Sequence, residues 1–205
     1  EQKTENYRSD FAKIGMQINE SLTFEQWTDV YKKLVYWDLE LSETNNEMSD
    51  LLSMQKSEAN NTFSKFIKKN YASWFEEPEN RPILSPDLFK KKIFPLLDAG
   101  EKVFFILIDN FRLDQWKLIR DNIITPYFSV LDEDVYCSIL PTATQYARNA
   151  VFSGLMPAQL QQYFPQLWID EEGDEDKNQN EEKLIQSQID RFRKKYTFSY
   201  RKVNN

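Results

Sequence analysis

Lys102-Val-Phe-Phe-Ile-Leu-Ile108, followed at once by Asp109-Asn110, is the stretch on which the fold reading turns. Its apolar run is near-continuous, the pattern of a central parallel strand covered on both faces. Val103 to Ile108 is too short to cross a bilayer. Gly100 just before it is a good helix stop. Downstream, Trp116, Ile119 and Ile123 share one face of a helix predicted from about Leu113 to Ile123. Val135 to Leu140 reads as a second strand, ended by Pro141. A helix from about Gln145 to Phe152 follows, closed by Ser153-Gly154. Glu182 to Tyr196 is a further helix, with Leu184, Ile185, Ile189 and Phe192 as its stripe, and Thr197 to Val203 a third strand. Alternating strands and helices predict an α/β class with a partial, mostly parallel sheet.

Upstream, the pattern is helical. Residues 1–76 hold no proline and one glycine, Gly15. Ser9 to Leu22 reads as helix. Thr23 with Gln26 forms a capping box, which starts a second helix at Phe24. Trp27, Val30, Leu34, Trp37 and Leu41 make a seam of threes and fours along it. A break at Asn45-Asn46 leads to a third helix, with Met48, Leu51, Leu52, Met54, Ala59, Phe63, Phe66, Ile67, Tyr71 and Trp74 as its apolar positions. Three such helices close a small core as a bundle. Prolines 78, 82 and 86 then keep the chain extended. Ser85-Pro86 opens a connecting helix towards Ala99, irregular at Pro95. The predicted domains are therefore a three-helix bundle at 1–77, a proline-rich linker and connecting helix at 78–100, and an α/β part at 101–205.

Composition narrows the function. The formal net charge of −7 opposes sequence-independent binding to duplex nucleic acid. With four glycines, the chain has no Gly-rich phosphate loop. One cysteine, Cys137, permits no intrachain disulfide, which fits a reducing, cytoplasmic setting; as part of a strand it is predicted to be a buried, inert thiol. No signal peptide is visible, and a membrane role is not expected. There is no histidine, so Ser-His-Asp triads, Cys-His pairs and HExxH zinc sites are excluded within these residues. Asp170 to Glu182 is strongly acidic and is predicted to stay extended and mobile.

Ligands of open α/β sheets bind beyond the carboxyl ends of the strands. Ile108-Asp-Asn-Phe-Arg112 and residues 140–150 occupy that position. A carboxylate such as Asp109 is a hard oxygen ligand for a metal. A threonine between strand and helix places its hydroxyl near free N–H groups that favour phosphate. Arg112 and Arg148 have the fork geometry for phosphate oxygens. From the residues alone, simpler readings stand beside these: Asp109 as a turn former, Thr142 and Thr144 as helix caps, the arginines as surface residues.

Phe105-Ile-Leu-Ile-Asp109-Asn-Phe-Arg112 and Leu140-Pro-Thr-Ala-Thr144-Gln-Tyr-Ala-Arg148-Asn-Ala-Val-Phe-Ser153-Gly154-Leu-Met-Pro157 resemble the PglZ branch of the alkaline phosphatase superfamily. Residues 1–45, including Leu34-Val-Tyr-Trp-Asp38, are similar to the helical segment after the receiver domain of PorX-type response regulators, which are linked to type IX secretion. The resemblance implies an alkaline-phosphatase-like sheet with a two-metal site, usually zinc. It implies Asp109 as a metal ligand, Thr144 as the nucleophile and a metal ligand, and Arg148 and Asn149 as contacts of the phosphoryl group. It further implies a hydrolase of nucleotide or oligonucleotide phosphodiesters, cyclic ones included, working with an upstream receiver domain and a sensor histidine kinase. The superfamily's other metal ligands are Asp and His residues from later in the chain. This chain is therefore expected to be the middle of a longer regulator, without turnover and with weak zinc affinity by itself. The rival reading is a non-catalytic dimerisation, signal-relay and partner-binding module, in which the Trp27–Leu41 seam joins two copies.

Overall fold

The computed structural model describes residues 2–42, 46–169 and 178–203. Its helices are α1 (Gln2–Ile18), α2 (Phe24–Glu40), α3 (Asn46–Asn70), α4 (Ser73–Glu76), α5 (Phe94–Asp98), α6 (Leu113–Ile119), α7 (Thr144–Ser153), α8 (Pro157–Tyr163) and α9 (Glu181–Arg191). They fall into two compact units. The first is Glu1–Arg81 with Asn110–Val135; the second is Pro82–Asp109 with Tyr136–Asn205.

The first unit is built on α1, α2 and α3, which pack pairwise. α2 starts where its capping box requires: Gln26 N–H donates to Thr23 Oγ1 at 3.3 Å, and Thr23 N–H donates to Gln26 Oε1 at 2.8 Å. Trp27, Val30, Leu34, Trp37 and Leu41 are all buried, against Tyr7, Ile14 and Ile18 of α1 and Met48, Leu52 and Ala59 of α3. Burying one such side chain stabilises by about 1.5–3 kcal/mol, so the seam belongs to an intramolecular core. Rings lock the layers: Tyr7 and Trp37 lie 5.1 Å apart, Trp27 and Phe63 5.4 Å. Met54 departs from the predicted stripe and is exposed. Of the predicted break, Asn45 lies outside the described residues and Asn46 is the first residue of α3. Residues 110–135 fold into this unit, where α6 packs against α2.

In the second unit, Pro95 has no N–H to donate one turn back. The helix opens there into a π-turn, Phe89–Ile93, and Phe94 N–H reaches five residues back to Phe89 O. The chain turns at Gly100, whose φ of 85° suits glycine. Phe105 and Leu107 then pack on a core of Phe89, Phe94, Val151, Phe152, Leu155, Leu160, Leu184, Ile185 and Ile189. Phe104 and Ile106 point the other way, 92 % and 79 % exposed.

The expected parallel α/β sheet is overturned. The molecule is mostly helical, and among the described residues no strand ladder forms. A single isolated bridge joins Leu84 and Cys137, through Cys137 N–H donating to Ile83 O at 2.9 Å. A run of strand-forming residues makes the backbone extended, but a ladder needs a second backbone in register. Here side chains hold the extended segments instead. Phe105 packs on Phe89 (4.7 Å) and on Phe152 (6.1 Å), and Tyr200 packs on the same Phe152 (6.3 Å). The predicted helix to Tyr196 also ends early, at Arg191, and Arg193 takes a left-handed φ of 53°. Cys137 is half-buried, and burial pushes its thiol up to about 11. Of the predicted mobile acidic stretch, residues 170–177 lie outside the described residues.

Candidate functional site

α7 positions the second sequence motif. Thr142 and Thr144 do not cap it. Ala143 is its N-cap residue, and α7 has no side-chain cap hydrogen bond. A helix start without a side-chain cap leaves donors and a partial positive charge facing outward. Thr144 is the first residue of α7, and its hydroxyl donates to Asp109 Oδ1 at 3.4 Å. Asp109 ends the Phe105–Ile108 extended segment and is exposed; the chain leaves it through Asn110, whose φ of 54° Asn tolerates better than most residues. Arg148 is one turn along α7 from Thr144, hence on the same face. Its Nη1 lies 3.6 Å from Asp109 Oδ2. Asp109, Thr144 and Arg148 therefore come together.

Asn149 sits elsewhere. It is buried, and its Oδ1 accepts from Asn178 Nδ2 at 3.0 Å. Arg112 is ion-paired with Asp114 at 2.8 Å, within the first unit.

The Arg148 guanidinium is braced from behind by residues that the sequence reading passed over. Glu181, the first residue of α9, is fully buried and pairs with Arg148 Nε and, at 2.9 Å, with Nη2. The Tyr200 hydroxyl donates to the same carboxylate. Burial alone pulls Arg148 down, but Glu181 outweighs it and the net shift is upward. Burial and then Glu181 push Tyr200 up to about 12, so it remains a donor across the neutral range. A further brace comes from Gln188 of α9, whose Nε2 donates to Val151 O and Phe152 O at 3.2 and 2.8 Å. Gly154, at φ 64°, permits that approach, since a Cβ there would meet Gln188 at 2.7 Å. By composition Glu181 belongs to the acidic stretch. The signal that finds it is periodicity: 181, 184, 185, 188 and 189 form one stripe, and all five are buried.

This site can bind an oxyanion at the α7 start and accept a hydroxyl proton on Asp109. It does not by itself make a zinc site. Asp109 Oδ1 and Thr144 Oγ1 are two oxygen donors with a guanidinium beside them, whereas zinc takes three or four protein ligands. Among the described residues no group of three or more Asp, Glu or Cys side chains gathers to hold a metal.

Comparison with known proteins places these features in a family. No curated protein gives a significant match. The family model of the PorX response regulator linker domain matches residues 1–75. That of the BREX system PglZ alkaline phosphatase-like domain matches residues 88–205, which include Asp109, Thr144, Arg148 and Glu181. With the second match spanning more than half of its length, the chain belongs to the PglZ alkaline phosphatase-like family, in the PorX-type order of a response-regulator linker followed by a PglZ domain.

Proposed function

We propose that this chain contributes the nucleophile and phosphate-binding face of a phosphodiesterase in a cytoplasmic response regulator. The observation that carries the reading is the Thr144 hydroxyl at 3.4 Å from Asp109, at a helix start with no side-chain cap and with Arg148 alongside. In the proposed reaction Thr144 Oγ1 attacks phosphorus as Asp109 takes its proton. The N–H groups of α7 and Arg148 Nη1 hold the phosphoryl oxygens, where negative charge is greatest. The leaving alkoxide takes the proton that Asp109 received, and a water then attacks the phosphoryl group, one of its protons returning to Thr144 Oγ1 as the P–O bond to Thr144 breaks. The chain's own negative charge favours a short or cyclic nucleotide diester over long duplex nucleic acid. The PorX-type domain order supports phosphorylation of a receiver domain by a sensor histidine kinase as the input, and type IX secretion as the regulated process.

The test is Thr144→Val in the receiver-containing regulator, assayed with zinc supplied on bis(p-nitrophenyl) phosphate and on a cyclic dinucleotide. Turnover is expected to fall by at least about a thousandfold at an unchanged melting temperature. Retained turnover overturns the reading.

A second reading, a signal relay without catalysis, has one observation in its favour: residues 110–135, which directly follow Asp109, fold with the linker helices. The Trp27–Leu41 seam lends no support to dimerisation, because it is buried inside one chain. Hydrolysis by the regulator that is lost in Thr144→Val rules out the relay as the whole function.

A further inference from the structure

A buried carboxylate is costly unless paired and hydrogen-bonded. Glu181 is completely buried, and its partners are Arg148 and Tyr200. Its Oε2 accepts from Arg148 Nη2 at 2.9 Å and its Oε1 lies in ion-pair contact with Nε, leaving Nη1 as the edge that faces Asp109. A charge-assisted hydrogen bond to one guanidinium nitrogen, with the carboxylate's other oxygen against a second, restrains the orientation of the guanidinium as well as its position. Three residues earlier, Asn178 Nδ2 donates to Asn149 Oδ1 at 3.0 Å and approaches Thr144 O at 3.5 Å. Asn178, in the turn before α9, and Glu181, its first residue, thus brace α7 at Thr144, Asn149 and Arg148.

We infer that Glu181, backed by Tyr200, is the positioning residue of Arg148: it sets which edge of the guanidinium a phosphate ester meets and balances that charge from the buried side. The phosphate half of the inference rests on the proposed function. The positioning half does not. Without Glu181, the Arg148 fork is free to turn onto Asp109, closing the edge that would otherwise receive the ester.

The experiment is NMR of the uniformly ¹⁵N-labelled full chain, with the Arg148 Nε–H signal assigned by its loss in Arg148→Lys. In the wild type the signal is expected to be resolved and slow to exchange. Glu181→Gln removes the charge against the buried Nε and weakens the bond at Nη2, and is expected to speed Nε–H exchange about tenfold, the equivalent of about 1.4 kcal/mol. Tyr200→Phe, which keeps the carboxylate, is expected to give a smaller acceleration and serves if Glu181→Gln does not fold. Equal protection in the wild type and both variants overturns the inference. In the zinc-supplied regulator, Glu181→Gln is expected to raise KM for bis(p-nitrophenyl) phosphate about tenfold while kcat changes less; an unchanged KM overturns the phosphate half. Because the NMR result needs no turnover, it stands or falls separately from the assignment of Thr144 as nucleophile.

Discussion

Glu133 holds together the segment that joins the first unit after Asp109. Its carboxylate accepts from the Trp116 indole at 2.8 Å, from Arg120 Nη1 at 2.9 Å and from the Lys117 ammonium. Burial alone would push it up; those three donors outweigh burial and bring it down to about 2. A carboxyl lowered in the folded state stabilises above its unfolded value, and that stability is lost as pH falls through the folded value. The window therefore runs from about 4.5 down to about 2. With solvent screening taken into account, Glu133→Gln is expected to cost about 1–2 kcal/mol at pH 7. In urea titrations the gap between variant and wild type should narrow as pH falls through that window; a pH-independent gap would refute the electrostatic account. At the same scale, the helix period puts Thr144 and Arg148 on one face of α7, whereas the approach of Asp109, 35 residues away in the chain, is a tertiary contact that no local spacing gives. Glu181 was not legible in sequence, because the acidic composition of its neighbours masks its place on the buried stripe of α9.

The elements divide by how local their causes are. The start of α2 was readable to the residue, since the capping box and the apolar stripe are local to it. Thr23→Ala is expected to destabilise by about 1 kcal/mol. Gln26→Ala should add little once Thr23 is gone, because the two bonds form one reciprocal box. Circular dichroism melts of both single variants and the double variant check this, and full additivity would count against a coupled box. Pro95 was likewise readable as an irregularity, although its form, a π-turn, depends on which carbonyl Phe94 reaches. The strands failed for the opposite reason. Extended backbone is a local property, whereas pairing requires a neighbour far along the chain, and the apolar run at 103–108 does not reveal whether both of its faces are covered.

At the scale of the whole molecule, that half-covered run leaves an apolar edge on a negatively charged protein. Phe104, Ile106 and Ile108 are exposed in alternation, while Phe105 and Leu107 are packed. An extended apolar edge with no ladder partner favours self-association, and a net charge of −7 opposes it. Salt screens the repulsion far more than the apolar contact, so light scattering of the chain is expected to rise between low salt and about 0.5 M NaCl. Ile106→Lys separates the two terms. It takes the net charge from −7 to −6, which by itself would increase association. Yet it places an ammonium on the apolar edge, and at 79 % exposure it removes almost no packing. The variant is expected to keep wild-type stability within about 0.5 kcal/mol, to bind less anilinonaphthalene sulfonate and to scatter less at every salt concentration. Phe105→Lys, one residue away but facing the core, is expected to unfold the second unit. Increased scattering by Ile106→Lys would mean that net charge, not the exposed edge, controls how these molecules meet.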